Sequence, residues 1–257
     1  MADGRDDQYP MLAAALVSSG VDLIIVWGTP AALAAKHATS SVPVVVAAVG
    51  DVISTGIVTN LSHPGGNITG FSAVNADLEE KRLAILVECV PHLKRLGVLA
   101  NSQNALNKVN LETIRRAAER LGVSVHVVEI RESSEIIAAL QGMITAQPDA
   151  VLLGSDTVLL AEREKIVALL AEARIPAIYP FRDYADAGGL MFYGADISAL
   201  FEQSASYIDR ILKGTHPGNL PVQQASAFNL IINIKAANAL RLAIPPTLLA
   251  RADEVIE

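Results

Sequence analysis

Along this 257-residue chain, short continuous apolar runs alternate with amphipathic stretches. Residues 21–27 (VDLIIVW), 42–47, 95–100, 123–130, 150–153 and 175–179 are compact and rich in β-branched residues, the pattern of strands buried on both faces. Between them, residues 12–19, the Ala-rich stretch after Thr29-Pro30, and residues 77–90, 109–121, 134–145 and 158–173 read as helices. In 77–90 the apolar stripe is Leu83, Leu86, Val87 and Val90, and Gly122 stops the helix before it. Strands and helices in strict alternation predict parallel sheet with helices on both faces.

The rhythm breaks twice. The run SHPGGNITGFS (62–72) sets Pro, three Gly, Asn, Thr and Ser between two strand–helix series. Pro-Gly and Gly-Gly interrupt regular structure, so the run reads as a turn leading into a crossing between two lobes. After residue 180 the order changes again. A glycine-flanked strand (188–194) and a helix (198–213) precede extended pieces at 220–222 and 230–234 and a short helix at 235–240. The expected fold is therefore α/β, with two doubly wound parallel-sheet lobes joined by three hinge crossings. Residues 1–70 and 190–219 form the N-lobe, and residues 71–189 and 220–257 the C-lobe.

Composition narrows the function classes. A net charge of -7 supplies no basic footprint for nucleic acid. The single Cys89 excludes an internal disulfide and reads as a small residue on a helix face. There is no GxSxG, GxGxxG, P-loop or HExxH, and the five histidines show no metal-ligand spacing. The reading is of a protein that is not an enzyme and needs no cofactor or metal.

In open parallel sheets, ligands bind beyond the carboxyl ends of the strands. The polar runs there nominate Gly28, Thr29, Asp51, Ser72, Asn101, Ser155, Asp156, Tyr179, Phe181 and Tyr193. Thr29 either caps a helix or, with the helix N-terminus behind it, receives a carboxylate. Asp156 either caps the next helix or accepts a ligand ammonium. The aromatic residues either stack on an apolar ligand or pack in the core.

Several segments together resemble a known family. GTPAALAAKHATSSVPVVVAAVGD, LSHPGGNITGFS, KRLAILVECVPHLKRLGVLAN, IPAIYPFRDYADAGGLMFYG, YIDRILKGTHPGNLPVQQ and IPPTLLARADEVIE are similar to substrate-binding proteins of bacterial ABC importers. The similarity is to the branch that includes tryptophan and other aromatic amino-acid binding proteins. It implies a type I periplasmic binding fold and capture of a hydrophobic or aromatic amino acid, or a related carboxylate, by hinge closure. It also implies an ABC permease as membrane partner, and a periplasmic or lipid-anchored location outside the inner membrane. Family members carry an export signal and then a first strand and helix ahead of the region matching MADGRDDQYP. That strand and helix are expected to be missing here, leaving an N-lobe sheet edge through which a homodimer could form. The alternative is a cytoplasmic ligand-sensing regulatory domain of the same architecture.

Overall fold

A computed structural model of the chain describes residues 5–73 and 78–257. The strands are β1 (Ile24–Trp27), β2 (Val44–Val49), β3 (Ile68–Ser72), β4 (Arg95–Asn101), β5 (Ser124–Ile130), β6 (Ala150–Leu153), β7 (Ala177–Tyr179), β8 (Met191–Ala195), β9 (Gln223–Gln224), β10 (Phe228–Asn233) and β11 (Glu254–Ile256). The helices are α1 (Tyr9–Ser18), α2 (Thr29–Ala38), α3 (Leu78–Cys89), α4 (Ala105–Leu121), α5 (Ile136–Thr145), α6 (Thr157–Ala161), α7 (Arg163–Glu172), α8 (Arg182–Asp186), α9 (Ile197–Leu212), α10 (Ile234–Ala239) and α11 (Pro246–Leu249). Asp77, the expected first residue of α3, lies outside the described residues.

The chain divides into two compact units, Met1–Ala76 with Ala195–Ala227 and Asp77–Gly194 with Phe228–Glu257. The first unit holds a four-stranded sheet in the order β1-β2-β3-β9, with every pairing parallel. Its core joins Ile24, Ala32, Val44, Val46, Ile68 and Val222. All six residues of β2 are buried, as a strand covered on both faces requires. The second unit holds a seven-stranded sheet ordered β11-β10-β8-β7-β6-β4-β5. Leu83, Leu86, Leu96, Val98, Leu152 and Ile178 anchor its core. Cys89 belongs to that core at 1% exposure, and burial pushes its thiol up to about 12.

The glycine-rich run explains itself residue by residue within the first unit. Asn67 donates its amide to the carbonyls of Thr39 and Val42, tying the start of β3 to the α2–β2 turn. Thr69 donates to the Leu220 carbonyl at 2.7 Å, and Ser72 to the Gly50 carbonyl at 2.9 Å. Gly70 has φ 135°, and a Cβ there would stand 2.1 Å from the Val46 carbonyl oxygen. Only glycine tolerates both the conformation and the approach. A Cβ on Gly218 would stand 2.8 Å from the Gly65 backbone, so Gly65 and Gly218 pack backbone to backbone.

The lobe boundaries are corrected by this pairing. Phe71 and Ser72, assigned to the C-lobe, finish β3 and pair with Gln223 and Gln224 in the first unit. Residues 220–227, also assigned to the C-lobe, follow β9 into the first unit, whereas β8, assigned to the N-lobe, pairs with β7 in the second. Ladder hydrogen bonds between distant segments made these choices, and local composition carries no record of them. Thr69–Phe71 is thus the interior of a strand and not itself a crossing.

Other differences are local. The single helix expected over 158–173 breaks at Glu162, whose ψ of 17° closes α6 before α7 begins. Helix α4 begins at Ala105 rather than 109, because the Asn104 side chain accepts from the Leu106 N–H. Elements α8 and β11 are too short for periodicity to reveal. Among the described residues, β1 is an edge strand paired only with β2, and Ile25 on it is 49% exposed.

Candidate functional site

In the first unit, parallel register sets Trp27 beside Ala48 and Val49 beside Ser72. Gly28-Thr29, Asp51 and Ser72 therefore come together at the carboxyl edge of the sheet. Gly28, at φ 84°, is the N-cap of α2 and donates its N–H to the Ala48 carbonyl. Thr29 is consequently the first helical residue and not the cap. Among the described residues no side chain caps this helix, and because Pro30 has no N–H the first-turn donors are those of Thr29 and Ala31. The Thr29 side chain is 2% exposed, and its Oγ1 is buried without a hydrogen-bond partner among the described residues.

Asp51 is otherwise engaged. Its carboxylate accepts from the N–H groups of Ile53 and Ser54 and from the Ser54 hydroxyl, closing its own turn. Ser72 is 1% exposed and turned toward Gly50.

In the second unit, Asn101 ends β4, Ser155 and Asp156 follow β6, Phe181 follows β7, and Tyr193 lies in β8. Asp156 caps α6: Oδ1 accepts from the N–H groups of Val158 and Leu159, and Oδ2 from the amides of Asn101 and Asn104. Burial pushes its carboxyl pKa up against these four hydrogen bonds. A ligand ammonium would have to compete with the two asparagines. Tyr179 is 2% exposed and stacked on Tyr184 with ring centroids 4.8 Å apart, so its ring is core. Phe181 is half-buried at the N-cap of α8. Tyr193 is half-buried, with its ring 6.3 Å from Phe228, and lines a cavity of about 560 Å³ with Ile85 and Leu230.

Sequence reasoning missed the residues that bind these strand ends to each other. Arg82 and Glu79 of α3 form an ion pair at 2.6 Å, both side chains being almost wholly buried. Arg82 Nε donates to the Tyr193 carbonyl at 2.7 Å, and its other nitrogens donate to Ser155 Oγ at 3.1 Å and the Pro180 carbonyl at 3.5 Å. Asn110 donates to the Glu79 carboxylate oxygen that also meets Arg82, while Glu79 Oε2 is buried without a partner among the described residues. Burial pushes the Glu79 carboxyl up and the Arg82 guanidinium down, and each opposes the other's shift. Their charges cancel, so the net charge of the cluster is that of Asp156. The signal was present: Glu79 and Arg82 share the helical stripe of Leu83 and Leu86, and Asn101, Asn104, Asn107 and Asn110 recur every three residues.

Among the described residues, no group of three or more His, Cys, Asp or Glu is arranged to hold a metal. Two parallel sheets, each gathering polar groups at its carboxyl edge, describe a ligand-binding scaffold, and the family model for ABC transporter substrate binding proteins matches residues 2–256. The chain belongs to that family. A tyrosine-binding protein of Clostridioides difficile (strain R20291) is 27% identical over 229 residues, covering 89% of this chain and 66% of its own length. The ABC domain from Streptococcus pneumonia in complex with L-Trp superposes with a TM-score of 0.91 at 28% identity, covering 98% of this chain and 86% of that one. A conserved domain protein from Vibrio cholerae gives a TM-score of 0.92 at 27% identity, over 98% of this chain and 84% of that one. The family is one of solute-binding transport components, which leaves the regulator reading without support. Among the described residues, no helix is long and apolar enough to cross a membrane.

Proposed function

We propose that this protein captures an aromatic amino acid, or a closely related carboxylate, for an ABC importer and performs no chemistry on it. The observation that carries the reading is Thr29, a buried hydroxyl with no hydrogen-bond partner among the described residues, in the first turn of a ten-residue helix whose Gly28 N-cap offers no side chain. A buried polar atom left unpaired costs free energy, and a ligand carboxylate would satisfy it together with the first-turn N–H groups and the helix dipole. In the second unit, Asp156 supplies the negative charge suited to an ammonium, and the half-buried Phe181 and Tyr193 offer apolar surface. The L-Trp complex and the tyrosine-binding relative favour an aromatic side chain on the ligand.

A ligand shifts a binding protein toward the conformation that holds it more tightly, and hinge closure is the expected form of that shift here. The permease would then receive the loaded form outside the inner membrane. Calorimetric titration with L-tryptophan, L-tyrosine and L-phenylalanine, with sugars as controls, tests the reading. Ligand at about 100 times Kd should stabilise the protein by about 2.7 kcal/mol. Saturable binding of a sugar and of none of the aromatic amino acids or their carboxylate analogues would overturn it.

A further inference from the structure

A buried ion pair is poor insurance for stability, since removing two charges from water usually offsets their attraction. The Glu79–Arg82 pair is a costly instance, because Glu79 Oε2 is left without a partner among the described residues. What distinguishes it is where the guanidinium donates. Arg82 reaches the ends of β6, β7 and β8 at once, through Ser155 Oγ and the carbonyls of Pro180 and Tyr193. The β7 and β8 segments approach closely, since a Cβ on Gly194 would stand 2.8 Å from the Pro180 carbonyl oxygen, and the β6 end packs on α4, where a Cβ on Gly154 would stand 2.9 Å from Asn107 Oδ1. Residues flanking these points include Asp156, Phe181 and Tyr193, the ligand-facing candidates of this unit.

We propose that Arg82 is a positioning residue: its planar fork fixes three strand-end loops in the arrangement that receives the ligand, with Glu79 and Asn110 orienting the fork. The inference rests on the substrate-binding reading. Glu79 holds one side of NH1 at 2.6 Å while Asn110 holds the same carboxylate oxygen at 3.0 Å, so the guanidinium is anchored between α3 and α4. A lysine in its place would keep the charge and lose the fork, since an ammonium cannot present donors in a fixed plane to three acceptors. The pair therefore serves the geometry of the site rather than the stability of the unit.

Two variants test this on the full chain: Glu79→Met/Arg82→Met, which replaces the pair by apolar side chains of similar length, and Arg82→Lys. Amide hydrogen exchange is measured without ligand, and affinity for L-tryptophan, L-tyrosine and L-phenylalanine by calorimetry well below each melting point. Loss of the costly pair and the unpairing of its acceptors oppose one another, so the double variant should melt within a few degrees of the wild type. Its exchange at 154–156, 181–182 and 193–194 should quicken by roughly tenfold or more, while α4 and β5 keep wild-type rates. Affinity for whichever of the three amino acids the wild type binds should fall by about tenfold or more. Arg82→Lys should show the same three-loop signature. Unchanged exchange at those loops in both variants, or unchanged affinity, would overturn the proposal. So would a uniform rise in exchange across the second unit with a lowered melting point, which would make the pair structural. Failure of the wild type to bind any of the three would sink the ligand reading alone, since the exchange comparison needs no ligand.

Discussion

Replacing Thr29 by valine should raise the stability of the protein and weaken its binding. The substitution exchanges the hydroxyl for a methyl of similar size and keeps the β-branch. Because Thr29 is the first helical residue and Gly28 the cap, no capping hydrogen bond is lost. Because Oγ1 is buried without a partner among the described residues, valine removes a desolvation cost of about 1–3 kcal/mol, of which roughly 0.5–2 kcal/mol should appear as added stability. For a chain of this size that is a rise in melting temperature of roughly 1–8 °C. In the complex the same hydroxyl would donate to the ligand carboxylate. Losing that charge-assisted bond should cost about 1–3 kcal/mol, or roughly a fivefold to 150-fold loss of affinity. Melting curves without ligand and calorimetric titrations with the tightest-binding aromatic amino acid read the two effects separately. A lowered melting temperature with unchanged affinity would refute the reasoning, because it would make the hydroxyl a structural group.

Gly70→Ala should destabilise the first unit by about 3 kcal/mol or more, since the new Cβ would meet the Val46 carbonyl oxygen at 2.1 Å in a backbone conformation with φ 135°; a melting temperature within a degree of wild type would contradict this. The Arg182–Glu254 pair holds the Glu254 carboxyl below its usual 4.5, chiefly through the Arg182 hydrogen bond. Its contribution is therefore present above pH 4.5 and lost as pH falls through the depressed value, and at half-exposed positions it should amount to no more than about 1 kcal/mol. Urea titrations of wild type and Arg182→Gln between pH 3 and 7 should converge at the acid end, and parallel curves would exclude the linkage. The exposed β1 edge should support self-association, so Ile25→Lys should lower the apparent mass in a light-scattering concentration series; a wild type that stays monomeric throughout would end that idea.

The alternation of apolar runs with helical stripes determined the fold class of this protein, because buried parallel strands and amphipathic helices have different periods and each leaves its own mark on the chain. It also determined which residues stand at the strand ends, since parallel strand–helix units place every strand's carboxyl end on one edge of the sheet. Which of those residues face a ligand was a tertiary matter. Asp51 follows a strand as Thr29 does and Tyr179 ends one, yet Asp51 closes its own turn and Tyr179 stacks on Tyr184. The difference lies in neighbours supplied by other elements. The lobe boundaries were decided in the same way, by the pairing of Phe71 and Ser72 in β3 with Gln223 and Gln224 in β9, and by the Thr69 hydrogen bond to the Leu220 carbonyl 151 residues away. Arg82 shows the division most clearly. Its helical phase with Leu83 and Leu86 already marked it for burial, but its acceptors, Tyr193 in β8 and Ser155 and Pro180 just beyond β6 and β7, are brought to it only by the folded sheet.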